Sequence, residues 1–153
     1  MADDRTAMIY LDSSVVFSLH FRDCNTGDAI RLVGGASEAV VVSAICEMET
    51  VNAFALRVFR KEMSARNMNV AVKDLESDLR SGLLLWKPLP QGAFARAKAL
   101  PKKITPSIGV RAADLLHVAA ALELGAGTFY TFDQKQRQAA QAVGIAVNPL
   151  PTS

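Results

Sequence analysis

Cysteine and histidine are scarce in this sequence, which contains two of each. Cys24 and Cys46 form no C-x-x-C pair and no disulfide framework, so both are expected to be reduced thiols in a cytoplasmic protein. With so few of these side chains, a zinc site built from His and Cys ligands is disfavoured.

The motifs of several common enzyme classes are also missing. Ser13 and Ser14 lie outside any G-x-S-x-G elbow, and neither cysteine has a base beside it in the sequence. The glycines of GGA at residues 34–36 are not followed by Lys and Ser or Thr, so there is no phosphate-binding P-loop. Serine or cysteine nucleophiles and P-loop nucleotide chemistry are therefore disfavoured.

No apolar run approaches the ~18 residues that a membrane span requires. The N-terminal MADDRTAMIY lacks a basic segment followed by an apolar one, so no secretory signal is expected. A chain of 153 residues, half of them hydrophobic, can bury a substantial core. We predict one domain over residues 1–153, with no membrane association.

The charge is nearly balanced, at a net +2, and does not by itself indicate nucleic-acid binding. Basic residues nevertheless cluster in two segments, which could follow a phosphate backbone or form solvated helix faces. On charge alone the solvated faces are favoured. The clusters are Arg57, Arg60, Lys61 and Arg66, and Arg96, Lys98, Lys102 and Lys103.

Short apolar runs alternate with helical patterns along the chain, which predicts a three-layer α/β/α sandwich around a mostly parallel sheet. The predicted strands are Ala7–Leu11, Ala39–Val42, Leu83–Trp86, Thr128–Phe132 and Ile145–Val147. The predicted helices are residues 13–23, Thr26–Val33, Ala44–Ala65, Val70–Arg80, Gly92–Leu100, Arg111–Leu124 and Asp133–Val143.

Four acidic residues stand at the edges of apolar elements: Asp12, Glu49, Asp114 and Asp133. Residues just past the carboxyl ends of parallel strands meet in one crevice, where gathered carboxylates repel each other unless a cation neutralises them. An all-carboxylate site points to Mg²⁺ or Mn²⁺.

Each acid also has a purely structural interpretation. Asp12 and Asp133 precede helices and could simply cap them, and Glu49 could face solvent. Asp114 lies on a strongly apolar helix, where an unpaired carboxylate would cost several kcal/mol. Arg111 and His117 share its face. They either form a structural network with Asp114 or act as orienters or phosphate contacts.

Four segments, in order, resemble the motifs of PIN domains, and specifically of VapC-type toxins from toxin–antitoxin pairs. YLDSS resembles the family's first strand with its Asp followed by Ser or Thr. VVSAICEMETVNAF resembles the motif whose Glu lies six residues after a Ser, here Ser43 and Glu49, with Asn52 in the following E-x-x-N-A. RAADLLHVAAALELG matches the R-x-x-D-x-x-H helix, and TFDQKQRQAAQAVGI matches the last acid and closing helix.

This resemblance, which covers nearly the whole chain, implies about five parallel strands and a Mg²⁺- or Mn²⁺-dependent endoribonuclease. It implies an RNA substrate, a cognate antitoxin, a homodimer and a cytoplasmic location. By this analogy the metal-binding, catalytic acids are Asp12, Glu49, Asp114 and Asp133, supported by Ser14, Asn52, Arg111 and His117. Glu47 lies near enough to Glu49 to compete for its role. Residues 88–109 carry no motif of the family.

The resemblance also suggests an antitoxin-binding groove on the helices of residues 44–80. Phe59, Met63, Met68 and Val72 are its candidate residues, and ordinary core packing is the alternative explanation for each.

Two other functions remain open, and a third is disfavoured. One is a PIN-like RNA-processing nuclease outside a toxin–antitoxin pair, and another is a non-catalytic interaction module on the same scaffold. A phosphatase of the haloacid dehalogenase type is disfavoured, because it needs a second Asp two residues after the first and position 14 is Ser.

Overall fold

A computed structural model describes residues 8–149 of the chain. Its five strands form one all-parallel sheet in the order β3-β2-β1-β4-β5. This confirms the predicted α/β architecture. The strands are β1 (Met8–Leu11), β2 (Ala39–Ser43), β3 (Leu85–Lys87), β4 (Thr128–Tyr130) and β5 (Ala146–Val147).

Eight helices connect and cover these strands within the described residues. Parallel neighbours require such crossovers, and the helices bury both faces of the sheet. They are α1 (Ser13–His20), α2 (Thr26–Gly34), α3 (Ala44–Phe59), α4 (Ala65–Ser81), α5 (Ala93–Lys98), α6 (Pro101–Ile108), α7 (Ala112–Leu124) and α8 (Gln134–Ala142).

The predicted helices Ala44–Ala65 and Val70–Arg80 have wrong boundaries. The first ends at Phe59, and the second begins at Ala65. Lys61 adopts a left-handed φ of 60°, which stops the first helix. Ser64 then starts the second by accepting a hydrogen bond from the Asn67 N–H at 3.0 Å. Apolar periodicity continues past Phe59, so the sequence pattern placed the break too late, at residues 66–69.

Helix α6 was not predicted, because helix interiors seldom contain proline and this segment contains Pro101 and Pro106. Pro101 stands in the first turn, where its missing N–H has no helical partner to lose. Pro106 lies inside the helix. Burial of Ile104, which is 1% exposed, anchors the segment on the core.

Strand β1 divides its side chains between the two faces of the sheet. Ile9 and Leu11 pack with α1 and α3, whereas Tyr10 packs with α7 and stacks on Phe129, with ring centroids 5.1 Å apart. Two apolar layers therefore enclose the sheet, which explains why its strands read as continuous apolar runs. None of the helices within residues 8–149 has the length and apolar character needed to cross a membrane.

Candidate active site

The carboxyl ends of the three central strands form one edge of the sheet. β1 pairs with β2 on one side and with β4 on the other, both in parallel. Asp12 follows β1, Ser43 ends β2, and Thr131 follows β4. This edge is where parallel α/β sheets place their ligand sites.

Asp12 is the most firmly held of the four acids. Its carboxylate is buried and accepts hydrogen bonds from the Ser14 N–H at 3.0 Å, the Ser14 hydroxyl at 2.5 Å and the Val15 N–H at 3.4 Å. The Thr131 hydroxyl donates to its second oxygen. Asp12 therefore caps α1, as its structural interpretation predicted, and also bonds to Thr131, which directly follows the distant strand β4.

Burial raises the pKa of Asp12, and the hydrogen bonds from Ser14 and Thr131 offset only part of this effect. Hydrogen-bond donors thus hold the carboxylate in place, but they do not fully replace the hydration that its charge loses on burial. A positive charge beside it would favour its ionised form.

Thr131 and Ser14 connect the first acid to the last. The Thr131 hydroxyl accepts from the Asp133 N–H at 3.0 Å, and the Ser14 hydroxyl accepts from the Phe132 N–H at 2.9 Å. Ser14, which was predicted to support Asp12, donates its hydroxyl to that carboxylate, and its role in function stays a prediction. Thr131 was not identified from the sequence. Its signal is a hydroxyl residue near the end of the mainly apolar stretch that precedes Asp133.

Glu49 faces the same edge from α3. It accepts hydrogen bonds from Nε2 of His117 and, at 3.5 Å, from the Ser13 hydroxyl. Partial burial would raise the pKa of Glu49, but bonding to His117 and Ser13 and the positive charge of Arg111 lower it overall. Glu49 therefore favours its ionised form.

The hydrogen bonds that begin at Glu49 extend through His117 into the core. Its Nδ1 lies 2.7 Å from the Tyr10 hydroxyl, which lies 2.8 Å from the Ser43 hydroxyl. Tyr10 is fully buried, and His117 is 2% exposed. Neither Tyr10 nor Ser43 was assigned a role from the sequence, because Tyr10 reads as one more core residue of an apolar strand.

Asp114 is half-buried and bonds locally. Its carboxylate accepts from the Arg111 N–H at 3.2 Å, which caps its own helix. The alternative of a hydrogen-bonded network of Arg111, Asp114 and His117 is not observed, because His117 turns to Glu49. Gln136 also fixes this helix start, since its side-chain N–H donates to the Asp114 carbonyl at 3.1 Å.

Asp133 is exposed and caps α8, accepting from the Gln136 N–H at 2.9 Å. Together with Asp114 it lines an open cavity of about 420 Å³. The exposed cationic residues Arg111 and Lys135 line the same cavity. Acids and cations thus share one opening beside the edge of the sheet.

Two residues near Glu49 in the sequence line a different cavity. Asn52, proposed as a supporting residue, lines a cavity of about 560 Å³ between α3 and α4. Glu47 lines that cavity too, together with Met48 and Val72. Of the two neighbouring glutamates, only Glu49 bonds to His117.

The donor chemistry of the four acids fits a hard divalent cation, because Mg²⁺ and Mn²⁺ prefer carboxylate oxygens. As the side chains lie, however, no group of three or more His, Cys, Asp or Glu residues within 8–149 is spaced to hold an ion. Asp114 and Asp133 instead bond to the starts of their own helices.

Solved structures of three proteins resemble the fold. VapC20 from Mycobacterium tuberculosis, described as a sarcin–ricin loop cleaving toxin, has 18% identity and a TM-score of 0.66, over 90% of this chain and 96% of its own. FitAcB from Neisseria gonorrhoeae has 25% identity and a TM-score of 0.67, over 92% and 96%. VapBC-1 from nontypeable Haemophilus influenzae has 13% identity and a TM-score of 0.64, over 92% and 96%.

The sequence matches no curated protein. The model of the PIN domain family, in contrast, matches residues 9–142, which include all four acids. This match spans most of the chain and agrees with the motifs, the sheet order and the structural neighbours. The chain belongs to the PIN domain family.

Proposed function

We propose that this protein is a Mg²⁺- or Mn²⁺-dependent endoribonuclease that hydrolyses RNA phosphodiester bonds. We further propose that it is the toxin of a VapBC-type toxin–antitoxin pair and acts in the cytoplasm. Membership of the PIN domain family supports a nuclease, and the description of VapC20 as a cleaving toxin supports RNA as the substrate.

The observation that carries the proposal is the buried carboxylate of Asp12. A structural cap needs only the backbone N–H groups of Ser14 and Val15, and it can remain solvated. Asp12 is 5% exposed and is also bonded by two hydroxyls, one of them from Thr131, which directly follows strand β4. Such a costly arrangement is typical of a side chain whose exact position matters for function.

The acids have distinct roles in this proposal. Asp12 and Glu49 would hold the metal from the interior, each fixed by side chains of other elements. Asp114 and Asp133 would complete the ligand set from the cavity that they line. When bound, the ion would lower the pKa of a water molecule and offset charge on the phosphate.

The cations of the cavity would bind substrate. Arg111 and Lys135 stand beside the acids that repel an RNA backbone. Their positive charges can hold flanking phosphates, with a bidentate contact available to the guanidinium. The chain therefore offers both signs of charge that a metal-assisted nuclease requires.

An RNA cleavage assay on purified protein tests this function. We expect cleavage with added Mg²⁺ or Mn²⁺ and none with excess EDTA, with recovery when the metal is restored. A set of fluorescence-quenched RNA substrates that differ in sequence would report cleavage whichever sequence the enzyme prefers. Cleavage that persists undiminished in EDTA would exclude the metal-dependent mechanism.

An antitoxin partner is supported by two similar structures that are named as pairs, FitAcB and VapBC-1. The groove between α3 and α4 is the proposed docking site. Met48 and Phe59 of α3 are 63% and 83% exposed. Met63, Met68 and Val72, which were also proposed for the groove, are partly buried against Phe54 and its neighbours.

Co-expression with the adjacent reading frame tests the partner. We expect a stable complex in which RNA cleavage is inhibited. We also expect Met48→Lys to disrupt this complex. Ile30→Lys is a matched control, because Ile30 is also exposed, at 57%, but belongs to α2. If Met48→Lys weakened the complex no more than Ile30→Lys does, the partner would bind outside the groove between α3 and α4. Sedimentation of the free chain would test the proposed homodimer.

A further inference from the structure

A line of buried polar groups leads from the core to one acid of the site. It comprises Ser43, Tyr10, His117 and Glu49, which come from β2, β1, α7 and α3. The first three are at most 2% exposed, whereas the Glu49 side chain is 30% exposed. We name these four residues the polar relay.

The direction of the hydrogen bonds in the polar relay follows from its two ends. The Ser43 hydroxyl already accepts from the Cys46 N–H at 3.3 Å. Within residues 8–149, its only other hydrogen-bond partner is the Tyr10 hydroxyl at 2.8 Å. A buried hydroxyl proton needs an acceptor, so Ser43 donates to Tyr10.

The remaining bonds are then fixed. Tyr10 must donate its own proton to Nδ1 of His117, at 2.7 Å. The ring then carries its single proton on Nε2, which donates to the Glu49 carboxylate. Every proton of the relay has an acceptor in this arrangement. Reversing it would leave the buried Ser43 proton without one.

We propose that Tyr10 and His117 are positioning residues for Glu49, with the Tyr10 hydroxyl selecting the tautomer in which His117 donates to that carboxylate. The inference rests on the proposed function, because Glu49 is there a metal ligand. It explains why an apolar strand contains a tyrosine whose hydroxyl points at α7 rather than at solvent. Outer hydrogen bonds of this kind commonly set the orientation and affinity of metal ligands.

The chain offers matched controls, because it has two tyrosines and two histidines. Tyr130 lies on the neighbouring strand β4, outside the relay. His20 bonds to the Val16 carbonyl at 2.8 Å and to Asp78 at 2.7 Å, so both of its ring nitrogens face acceptors. In a ¹⁵N-histidine spectrum His20 therefore provides an internal reference for His117.

The experiment compares Tyr10→Phe and Tyr130→Phe by two measurements. Nitrogen chemical shifts of metal-free protein report the His117 tautomer, and titration with Mn²⁺ followed by electron paramagnetic resonance reports affinity. We expect Tyr10→Phe to shift the His117 signals and to weaken Mn²⁺ binding by about 10-fold. Tyr130→Phe should change neither. Wild-type signals and affinity in Tyr10→Phe would overturn the proposal.

A second pair keeps the test decisive if Tyr10→Phe folds poorly. His117→Gln retains an N–H that can donate to Glu49, whereas His117→Leu does not. We expect His117→Gln to keep much more of the Mn²⁺ affinity than His117→Leu, and equal affinities would contradict positioning. If wild-type protein bound Mn²⁺ but cleaved no RNA, the nuclease function would be overturned. The Mn²⁺ affinities of the variants could still be compared. If wild-type protein bound no Mn²⁺, the His117 signals alone would decide.

Discussion

The candidate site has two parts that are built differently. The inner wall, formed by Asp12 and Glu49, bonds to side chains that are distant in sequence, namely Thr131 and His117. The outer rim, formed by Asp114 and Asp133, bonds to backbone N–H groups of its own helices. The wall therefore depends on the tertiary fold, whereas the rim depends only on local helix starts.

This difference implies that the wall is preorganised and the rim adaptable. A helix cap contributes about 1 kcal/mol, so a rim carboxylate can leave it at small cost when a cation offers stronger bonds. Asp12 would lose several bonds and its enclosure by moving. We expect the rim carboxylates to leave their helix caps and bind an ion that is already held by the wall carboxylates.

Replacement of Asp12 should have the largest effect. Asp12→Asn keeps the shape and removes the charge, and we expect cleavage to fall at least about 100-fold, since each 1.36 kcal/mol is tenfold and a metal contributes several. Asp133→Asn, which can still cap α8, should cost less. Single-turnover cleavage rates with Mn²⁺ measure both. Equal losses would erase the distinction between wall and rim.

The two glutamates of α3 provide the next comparison. Glu49→Gln should lower the cleavage rate by about 10- to 100-fold, the usual range for perturbed metal sites. Glu47→Gln is a matched control, because Glu47 lies two residues away and lines the groove between α3 and α4. Its rate should stay within about twofold of wild type. A larger loss in Glu47→Gln would reverse the assignment.

The wall was only partly predictable from sequence. The strand-end rule identified Asp12, and alternating apolar runs and helices predicted the sheet. Thr131 and Tyr10 were missed because their contacts join segments that are far apart in the chain. Thr131 lies 119 positions from Asp12, and Tyr10 lies 107 positions from His117. No local pattern encodes such pairs.

The rim shows the opposite case. The capping of α8 by Asp133 is local, and the sequence offered it as one of two interpretations. The sequence could not choose between capping and metal binding, because both use the same oxygen atoms. The break between α3 and α4 was predicted too late in the chain for a different reason. A single left-handed residue, Lys61, ends the helix without a glycine or proline to signal it.

The smallest expected effect is on stability in the absence of metal. Because burial raises the pKa of Asp12 in the folded state, its stabilising contribution is present below the unfolded pKa and is lost as pH rises through the folded value. With chelator present, we expect the melting temperature of wild type relative to Asp12→Asn to fall as pH rises from acidic to neutral. The change should be about 2–4 °C, as about 1 kcal/mol gives in a domain of this size.

Thermal unfolding at several pH values in EDTA measures this difference. Asp74→Asn is the control, because Asp74 is exposed on α4 and its replacement should leave the pH dependence of wild type unchanged. Saturating Mn²⁺ should remove the loss of melting temperature in wild type at neutral pH. The melting temperature of Asp12→Asn should stay nearly unchanged, because only wild type offers the ion the buried carboxylate of Asp12. If wild type and Asp12→Asn instead share one pH dependence, then burial does not destabilise the ionised carboxylate of Asp12. In that case the wall would not differ from the rim in the cost of burying its charge.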